Sequence, residues 1–350
     1  MATETLRESL LGIGAELLLR SGLSRMLLRA ADRWTIHERG GLRFPPVRKR
    51  SRPCYQILLY HRVSDDGDPY FGGVPVELFR TQMEVLSGFF TVLPLETVVD
   101  SARRGDLPPN AVAITFDDGY RDNYSNAFPI LKQFQLPATV FLATGPTDSR
   151  VPLWHDRVFH AFRRTRAESL TVNGKEFRLD TLEHKLLALR ALLEHLRSSD
   201  PVRREAEIAR VTREFGSEAE LPTTDRMLGW PEIQEMQEGN ITFGAHTVTH
   251  PILTRMSARE ARDEIVRSKS SIEEKLGRPV VSFAYPNGTR ADFDEPIKRA
   301  LKDAGFECAV TTIWGTNHSE TDPYELHRVQ LWGSNPALSS LRLGWHKFIA

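Results

Sequence analysis

Ala111-Val112-Ala113-Ile114 runs into Thr115-Phe116-Asp117-Asp118-Gly119. An apolar run closed by a turn signal reads as a buried strand of the kind a parallel sheet uses. Gly119 and the polar run Tyr120-Arg121-Asp122-Asn123 supply the turn. Asp117 and Asp118 therefore stand at the carboxyl end of a core strand, where parallel-sheet proteins build their sites. Neighbouring strand positions point apart, so one carboxylate can grip a metal while the other handles a proton. Asp-Asp-Gly is also common surface-turn chemistry, and the choice depends on the rest of the chain.

A second apolar strand, Ile241-Thr242-Phe243-Gly244-Ala245, delivers His246-Thr247-Val248-Thr249-His250. If that segment turns helically, imidazoles four residues apart lie about 5 to 6 Å apart at Cβ and converge on one ion. One carboxylate of the Asp117–Asp118 pair with His246 and His250 would make a three-ligand site with an open position, as catalytic zinc sites require. Two histidines and one carboxylate also suit a non-haem iron oxygenase, for which the second carboxylate of the pair is surplus.

The segments around these two stretches alternate strand and helix. Cys54 to Tyr60 reads as a strand ending at His61, and 76–104 as helical, with Leu78, Met83, Leu86 and Phe90 in one stripe and Leu95 to Arg104 as a second element. Phe128, Ile130 and Leu131 mark a helix, and Ala138 to Leu142 a strand. Ala261, Ile265, Ser268, Ile272 and Leu276 mark a helix stopped at Gly277. Val280-Val281-Ser282-Phe283 is a strand turning out through Tyr285-Pro286-Asn287-Gly288. This alternation predicts a parallel α/β sheet or barrel. It lapses over 146–228, where Asn173-Gly174 signals a hairpin and helices are expected near 181–199 and 201–215, the latter opened by Pro201.

Phe116-Asp117-Asp118-Gly119-Tyr120, Phe141-Leu142-Ala143-Thr144-Gly145, His246-Thr247-Val248-Thr249-His250-Pro251 and Phe283-Ala284-Tyr285-Pro286-Asn287-Gly288, in that order, resemble the polysaccharide deacetylases of the NodB-homology group, carbohydrate esterase family 4. The likeness covers roughly Tyr55 to Trp332, and Leu59-Tyr60-His61-Arg62-Val63 is similar to the first-strand motif of a subgroup. The resemblance implies a distorted, incomplete (β/α) barrel that removes acetyl groups from N-acetylated sugars with a divalent metal, zinc being the expectation. It implies Asp118, His246 and His250 as metal ligands, Asp117 as base, and the backbone N–H of Asn287 as oxyanion donor. Trp154-His155-Asp156, at the entrance to the insertion, resembles a Trp-rich segment of the group; its indole reads as core filling, with stacking on a sugar as the rival. The insertion is read as a lid or wall over the sugar site, or as a solvated structural excursion.

Two departures from the family pattern stand out. Many relatives carry an arginine where Ala284 stands, orienting the base, and a histidine two residues after the leucine of the last motif, serving as acid. Here Leu326 is followed two residues later by Arg328, and His327 between them faces the other way on a strand. The reading is a swap: Arg328 pairs with Asp117, and His61 takes the vacant acid role. The alternative is that Arg328 makes a structural ion pair and that metal-bound water or a substrate group supplies the proton. The expected substrate is an N-acetylated polysaccharide, oligosaccharide or glycolipid; a non-catalytic glycan-binding protein of the same fold is the third reading.

Across 350 residues, 46 basic and 46 acidic side chains cancel, so no global field favours nucleic acid. The 26% charged and 40% hydrophobic composition is that of a soluble globular protein. Cys54 and Cys308 read as two buried thiols, not a disulfide framework. Residues 1–52 read as an amphipathic helical extension and basic linker, and 53–350 as the deacetylase domain, with 146–228 inserted. Leu6, Leu10, Ile13 and Leu17 recur at helical spacing, and Glu16 interrupts the apolar stretch. With no basic n-region and no bilayer-length run, neither a signal peptide nor a transmembrane helix is expected. A helix packed on the barrel, or one lying on a membrane through residues 1–35 with Arg48-Lys49-Arg50 behind it, is expected instead. The expected location is cytoplasmic or peripheral at the inner membrane surface.

Overall fold

The computed structural model describes residues 53–149, 152–217 and 227–331; the amphipathic helix and basic linker expected over 1–52 lie outside the described residues. Seven parallel strands build the sheet: β1 (Cys54–Tyr60), β3 (Ala111–Phe116), β4 (Ala138–Leu142), β7 (Ile241–Ala245), β8 (Ser282–Ala284), β9 (Cys308–Trp314) and β11 (Leu326–Arg328), neighbours in that order. Two short strands complete it, β2 (Thr91–Val92) beside β3 and β10 (Asn317–His318) antiparallel to β1. The Leu59 N–H donates to the Val329 carbonyl at 3.0 Å, and the Val329 N–H to Ile57 at 2.8 Å. Those two bonds bring the chain beyond β11 back to β1, so the sheet forms the nearly closed, incomplete barrel that the sequence implied.

Side-chain alternation divides the core into two layers. Ile57, Ala113 and Val310 pack inside, while Leu58, Ile114 and Ala309 pack outwards. The inner layer also holds Leu95, Val98, Val99 and Ala102 of α2 (Leu95–Arg104), packed with Tyr55, Ala111 and Cys308 at the first positions of β1, β3 and β9 or beside them. Helix α2 thus plugs the amino end of the barrel and leaves the carboxyl end for chemistry. The outer layer is covered by α1 (Val76–Phe89), α3 (Phe128–Gln133) and, later in the chain, α8 (Trp230–Glu238), α9 (Ala258–Leu276) and α10 (Glu295–Asp303). Helix α9 starts with a Ser257/Glu260 capping box and stops at Gly277, whose φ of 64° suits a residue without Cβ. Its fully buried Ile265 and Ile272 each contribute about 1.5–3 kcal/mol of burial.

The insertion contains α4 (Thr144–Ser149), α5 (Trp154–Arg164), a hairpin of β5 (Ser169–Val172) and β6 (Lys175–Arg178), α6 (Leu182–Ser198) and α7 (Pro201–Glu214). Asn173 and Gly174 have φ of 49° and 75°, the paired positive values that the tight hairpin turn requires. Thr181 caps α6, and Asp200 caps α7 ahead of Pro201. Trp154, Phe162, Leu170, Leu192 and Ile208 share a separate apolar core, so the insertion is a packed unit. Cys308 is buried and Cys54 half-buried, and neither is in a disulfide.

Candidate active site

Asp117 and Asp118 leave the top of β3, and the chain turns there because Asp118 and Gly119 adopt φ of 73° and 78°. Asp is among the few residues with a Cβ that enter the left-handed region readily. The reversal sends the two carboxylates to different partners. Asp117 accepts from Arg328 Nη1 at 2.7 Å and Nη2 at 2.6 Å, a two-pronged grip. The guanidinium is itself anchored, with Nε donating to the Thr311 carbonyl at 2.7 Å and Nη1 to Thr115 Oγ1 at 3.2 Å. Burial pushes the Asp117 carboxyl up, and the charge and hydrogen bonds of Arg328, with His246 and His61 beyond, bring it below the ordinary carboxylate value.

Asp118 faces the two histidines. Its Oδ1 lies 3.4 Å from His246 Nε2 and 3.3 Å from His250 Nε2, and has no hydrogen-bond partner among the described residues. One donor atom from each residue falls within 4.8 Å of the others, and all three residues are buried. Donors about 2.0–2.2 Å from a tetrahedral ion stand about 3.3–3.6 Å apart, so the spacing fits a divalent cation. Nδ1 of His246 lies 2.7 Å from the Ala284 carbonyl. Donating a proton there leaves Nε2 facing Asp118; burial lowers the His246 pKa, but the close contact with Asp118 and the charges of Asp117 and Asp118 raise it overall, so an arriving cation would displace a proton from this ring. His250 is pushed well below the usual imidazole value by burial and stays neutral, as a ligand must.

The histidine pair converges without a helix, contrary to the sequence expectation. Residues 246–250 form an irregular loop in which Thr247 and His250 take φ of 66° and 55°. A β-branched residue there is strained, at a cost of about 1–3 kcal/mol. Surrounding bonds hold it: the Val248 and Thr249 N–H groups donate to Glu264 Oε2 of α9 at 2.7 and 2.9 Å, and the Thr144 and Gly145 N–H groups donate to the Thr247 and Val248 carbonyls. A Cβ on Gly145 would stand 2.7 Å from the Val248 oxygen, so only glycine permits this approach.

Helix α5 completes the wall, and its part was missed in the sequence. Trp154 is buried and its Nε1–H donates to the His250 carbonyl at 3.1 Å, so the indole packs in the core and holds the ligand loop. The Tyr120 hydroxyl lies 3.0 Å from His155 Nε2 and donates to Asp156 at 3.1 and 3.2 Å, while the His155 ring stands edge-on to His250 at 5.2 Å. The signal available was Trp-His-Asp opening an amphipathic segment. Tyr120→Phe deletes the hydroxyl that links buried Asp156 and His155 and should cost about 1–3 kcal/mol of stability, read as a lower urea midpoint.

Asn287 and Gly288 turn out of β8 with φ of 59° and 65°. Thr312 of β9 pins the turn, its Oγ1 donating to the Asn287 carbonyl at 2.6 Å and its N–H to Gly288 at 2.9 Å. His61, at the end of β1, has a buried Nδ1 without a hydrogen-bond partner among the described residues. Burial lowers its pKa, and Asp118, Asp117, Arg328 and His246 are its charged neighbours. His327 is half-buried on the opposite face of β11 from Arg328.

A family model described as polysaccharide deacetylase matches residues 104–309. YxkH of Bacillus subtilis (strain 168), grouped with the polysaccharide deacetylases, is 23% identical over 290 residues, 82% of this chain and 74% of that protein. The poly-β-1,6-N-acetyl-D-glucosamine N-deacetylase of Escherichia coli (strain K12) is 37% identical over 87 residues, 24% of this chain and only 13% of that protein. Among solved structures, the Streptococcus pyogenes deacetylase PplD in complex with acetate superposes with a TM-score of 0.58 at 20% identity, covering 84% of this chain and 99% of that one. IcaB from Ammonifex degensii gives 0.56 at 18% identity, covering 85% and 98%.

Proposed function

Because the chain belongs to the polysaccharide deacetylase family, we propose that it is a metal-dependent hydrolase removing N-acetyl groups from amino sugars of a polysaccharide, oligosaccharide or glycolipid. One observation carries this reading: a three-donor cluster spaced for a divalent ion stands beside a second carboxylate that a guanidinium holds ionised. An oxygenase triad has no use for that second carboxylate.

The proposed cation is zinc, held by Asp118, His246 and His250, all oxygen and nitrogen donors that suit it. When bound, it supplies Lewis acidity, polarising the acetamide carbonyl and making coordinated water acidic enough to react near neutral pH. Asp117 takes the proton from the attacking water, and its depressed pKa keeps it in the accepting form. Arg328 fixes the carboxylate plane through both oxygens. The Asn287 N–H donates to the oxyanion, where loss of one such donor costs about 10²- to 10³-fold. His61 is the proposed donor to the departing amine, a poor leaving group unprotonated; because burial lowers its pKa, the proton it passes on is the one Asp117 takes from the attacking water.

The test is acetate release from a panel of N-acetylated oligosaccharides and glycolipids, before and after chelation and metal return. Release that stops on chelation and resumes with metal supports the reading. Binding without release would favour the glycan-binding alternative. Membrane contact through residues 1–35 is proposed alongside it: deleting them should abolish liposome binding while leaving turnover of soluble oligosaccharides intact. An insoluble truncation would point to a helix packed on the barrel.

A further inference from the structure

Among the described residues, four arginine and lysine side chains are buried: Arg62, Arg204, Lys298 and Arg328. Three of them are matched by carboxylates, Arg62 by Asp66 and Asp122, Lys298 by Glu295, Asp322 and Glu325, and Arg328 by Asp117. Arg204, in the first turn of α7 and 4% exposed, forms no ion pair or side-chain hydrogen bond among the described residues, and its Nε is sealed from water without a partner. What it meets is an indole: its guanidinium carbon stands 5.0 Å from the centre of the Trp154 ring. Trp154 in turn donates from Nε1 to the His250 carbonyl at 3.1 Å, and the charge of Arg204 reaches the His250 ring. The carboxylates whose charges reach Arg204, Glu205 and Glu264, are already engaged. Glu205 accepts from Arg157 at 2.6 Å, and Glu264 accepts from the Val248 and Thr249 N–H groups and the Thr249 hydroxyl. A fork of N–H donors with no counter-ion therefore stands one indole away from the loop of a candidate metal ligand.

A guanidinium taken out of water without a counter-ion is costly, and an aromatic face returns only part of what water supplied. Burial lowers the pKa of Arg204, and the two engaged carboxylates offset only part of that. No carboxylate among the described residues pairs with it, although each of the other three buried cations has one. The planar fork matches the two oxygens of a carboxylate or a phosphate, a match that a neutral sugar hydroxyl does not offer. We propose that Arg204 binds an oxyanion, carboxylate or phosphate, borne by the glycan beside the acetamido sugar that lies at the Asp118–His246–His250 cluster, so that the preferred substrate is an acidic glycan. This rests on the hydrolase reading above.

The probes are the neutral N-acetylglucosamine tetramer, the same tetramer carrying a phosphate, and a hyaluronan tetrasaccharide, whose glucuronate units bear carboxylates, all assayed with the full-length metal-loaded protein. The parent should show a higher kcat/KM on an acidic tetrasaccharide than on the neutral one, and which of the two is preferred identifies the anion. Arg204→Gln should lower that acidic-to-neutral ratio about 10- to 100-fold, mostly through KM, the range that a charge-assisted contact supplies. Arg204→Lys, with the charge but not the fork, should fall between the two. A parent without acidic preference overturns the proposal. So does an equal loss on neutral and acidic chains, which is what a side chain that merely props Trp154 would give. Should Arg204→Gln fail to fold, the same ratio read on Arg204→Lys decides. If the parent releases acetate from none of the three, the hydrolase reading falls first. Calorimetric binding of the same tetrasaccharides to the parent and to the variant then decides Arg204 by itself: a preference for the acidic chains that the variant loses supports the anion site, and equal binding overturns it.

Discussion

Asp118→Ala, His246→Ala and His250→Ala should each reduce bound metal and acetate release together, to below about 1% of the parent protein under limiting metal. Substitutions one shell further out already cost about 10- to 100-fold in affinity, and a three-ligand site has no spare contact. Asp118 makes the cleanest case. Its Oδ1 is buried between two imidazoles; burial pushes the carboxyl up, and the close contact with His246 and the charges of His250 and His61 hold it well below the ordinary carboxylate value. Metal-free Asp118→Ala should therefore unfold at a lower temperature than the metal-free parent. What should vanish is the rise in Tm on adding zinc, the linkage term that binding to the native state supplies. A variant that kept both the rise and the turnover would remove Asp118 from the ligand set.

Arg328→Lys should lower kcat by about 10²-fold, and Arg328→Met by more, with metal content unchanged. Lysine keeps the charge but not the planar fork that meets both Asp117 oxygens and Thr311 together. Methionine leaves a carboxylate buried without its main partner, a change that costs about 3–5 kcal/mol. The pH dependence has a definite sign. In the parent protein the Asp117 pKa is depressed, so the stability it contributes is present above the unfolded value of about 3.9 and is lost as pH falls through the folded value. In Arg328→Met burial acts without that offset and moves the carboxyl upwards. The destabilisation should then be greatest near neutral pH and shrink on acidification, and the acid limb of kcat/KM should shift to higher pH. Urea midpoints and kcat/KM measured across the same pH series check both; an unshifted acid limb would mean that Asp117 does not titrate in the rate-determining form.

The parts legible in the sequence are those whose signal is local. The β3 and β7 strands announce themselves as apolar runs, and the Asp pair and histidine pair follow them directly. Asn173-Gly174 and Pro201 likewise fix their turn and helix start through the backbone preferences of one or two residues. The convergence of His246 and His250 was expected for the wrong reason. A helical turn was the economical geometry, whereas the chain uses left-handed Thr247 and His250 braced by Glu264 and Gly145. Strain at Thr247 is tolerated only because distant groups hold it, and no local propensity reports that.

The long-range contacts divide similarly. Asp117 and Arg328 are 211 residues apart, and their pairing was readable only as a departure from a known pattern, an arginine missing at Ala284 and another present on the last strand. The Tyr120–His155–Asp156 contacts carry no comparable clue. They exist because α5 docks its first turn against the barrel mouth, a tertiary event set by the insertion's own core. Nothing in the sequence around His155 says what the helix that carries it meets.

In the proposed mechanism Asp117 does the proton chemistry beside a metal it does not bind. Asp117→Asn, measured for zinc content and for acetate release on the same preparation, addresses it most directly. The variant should hold zinc at the parent stoichiometry with kcat lowered by about 10²- to 10⁴-fold, the usual contribution of a positioned base. Acetate release at the parent rate, or loss of the metal along with the activity, would contradict it.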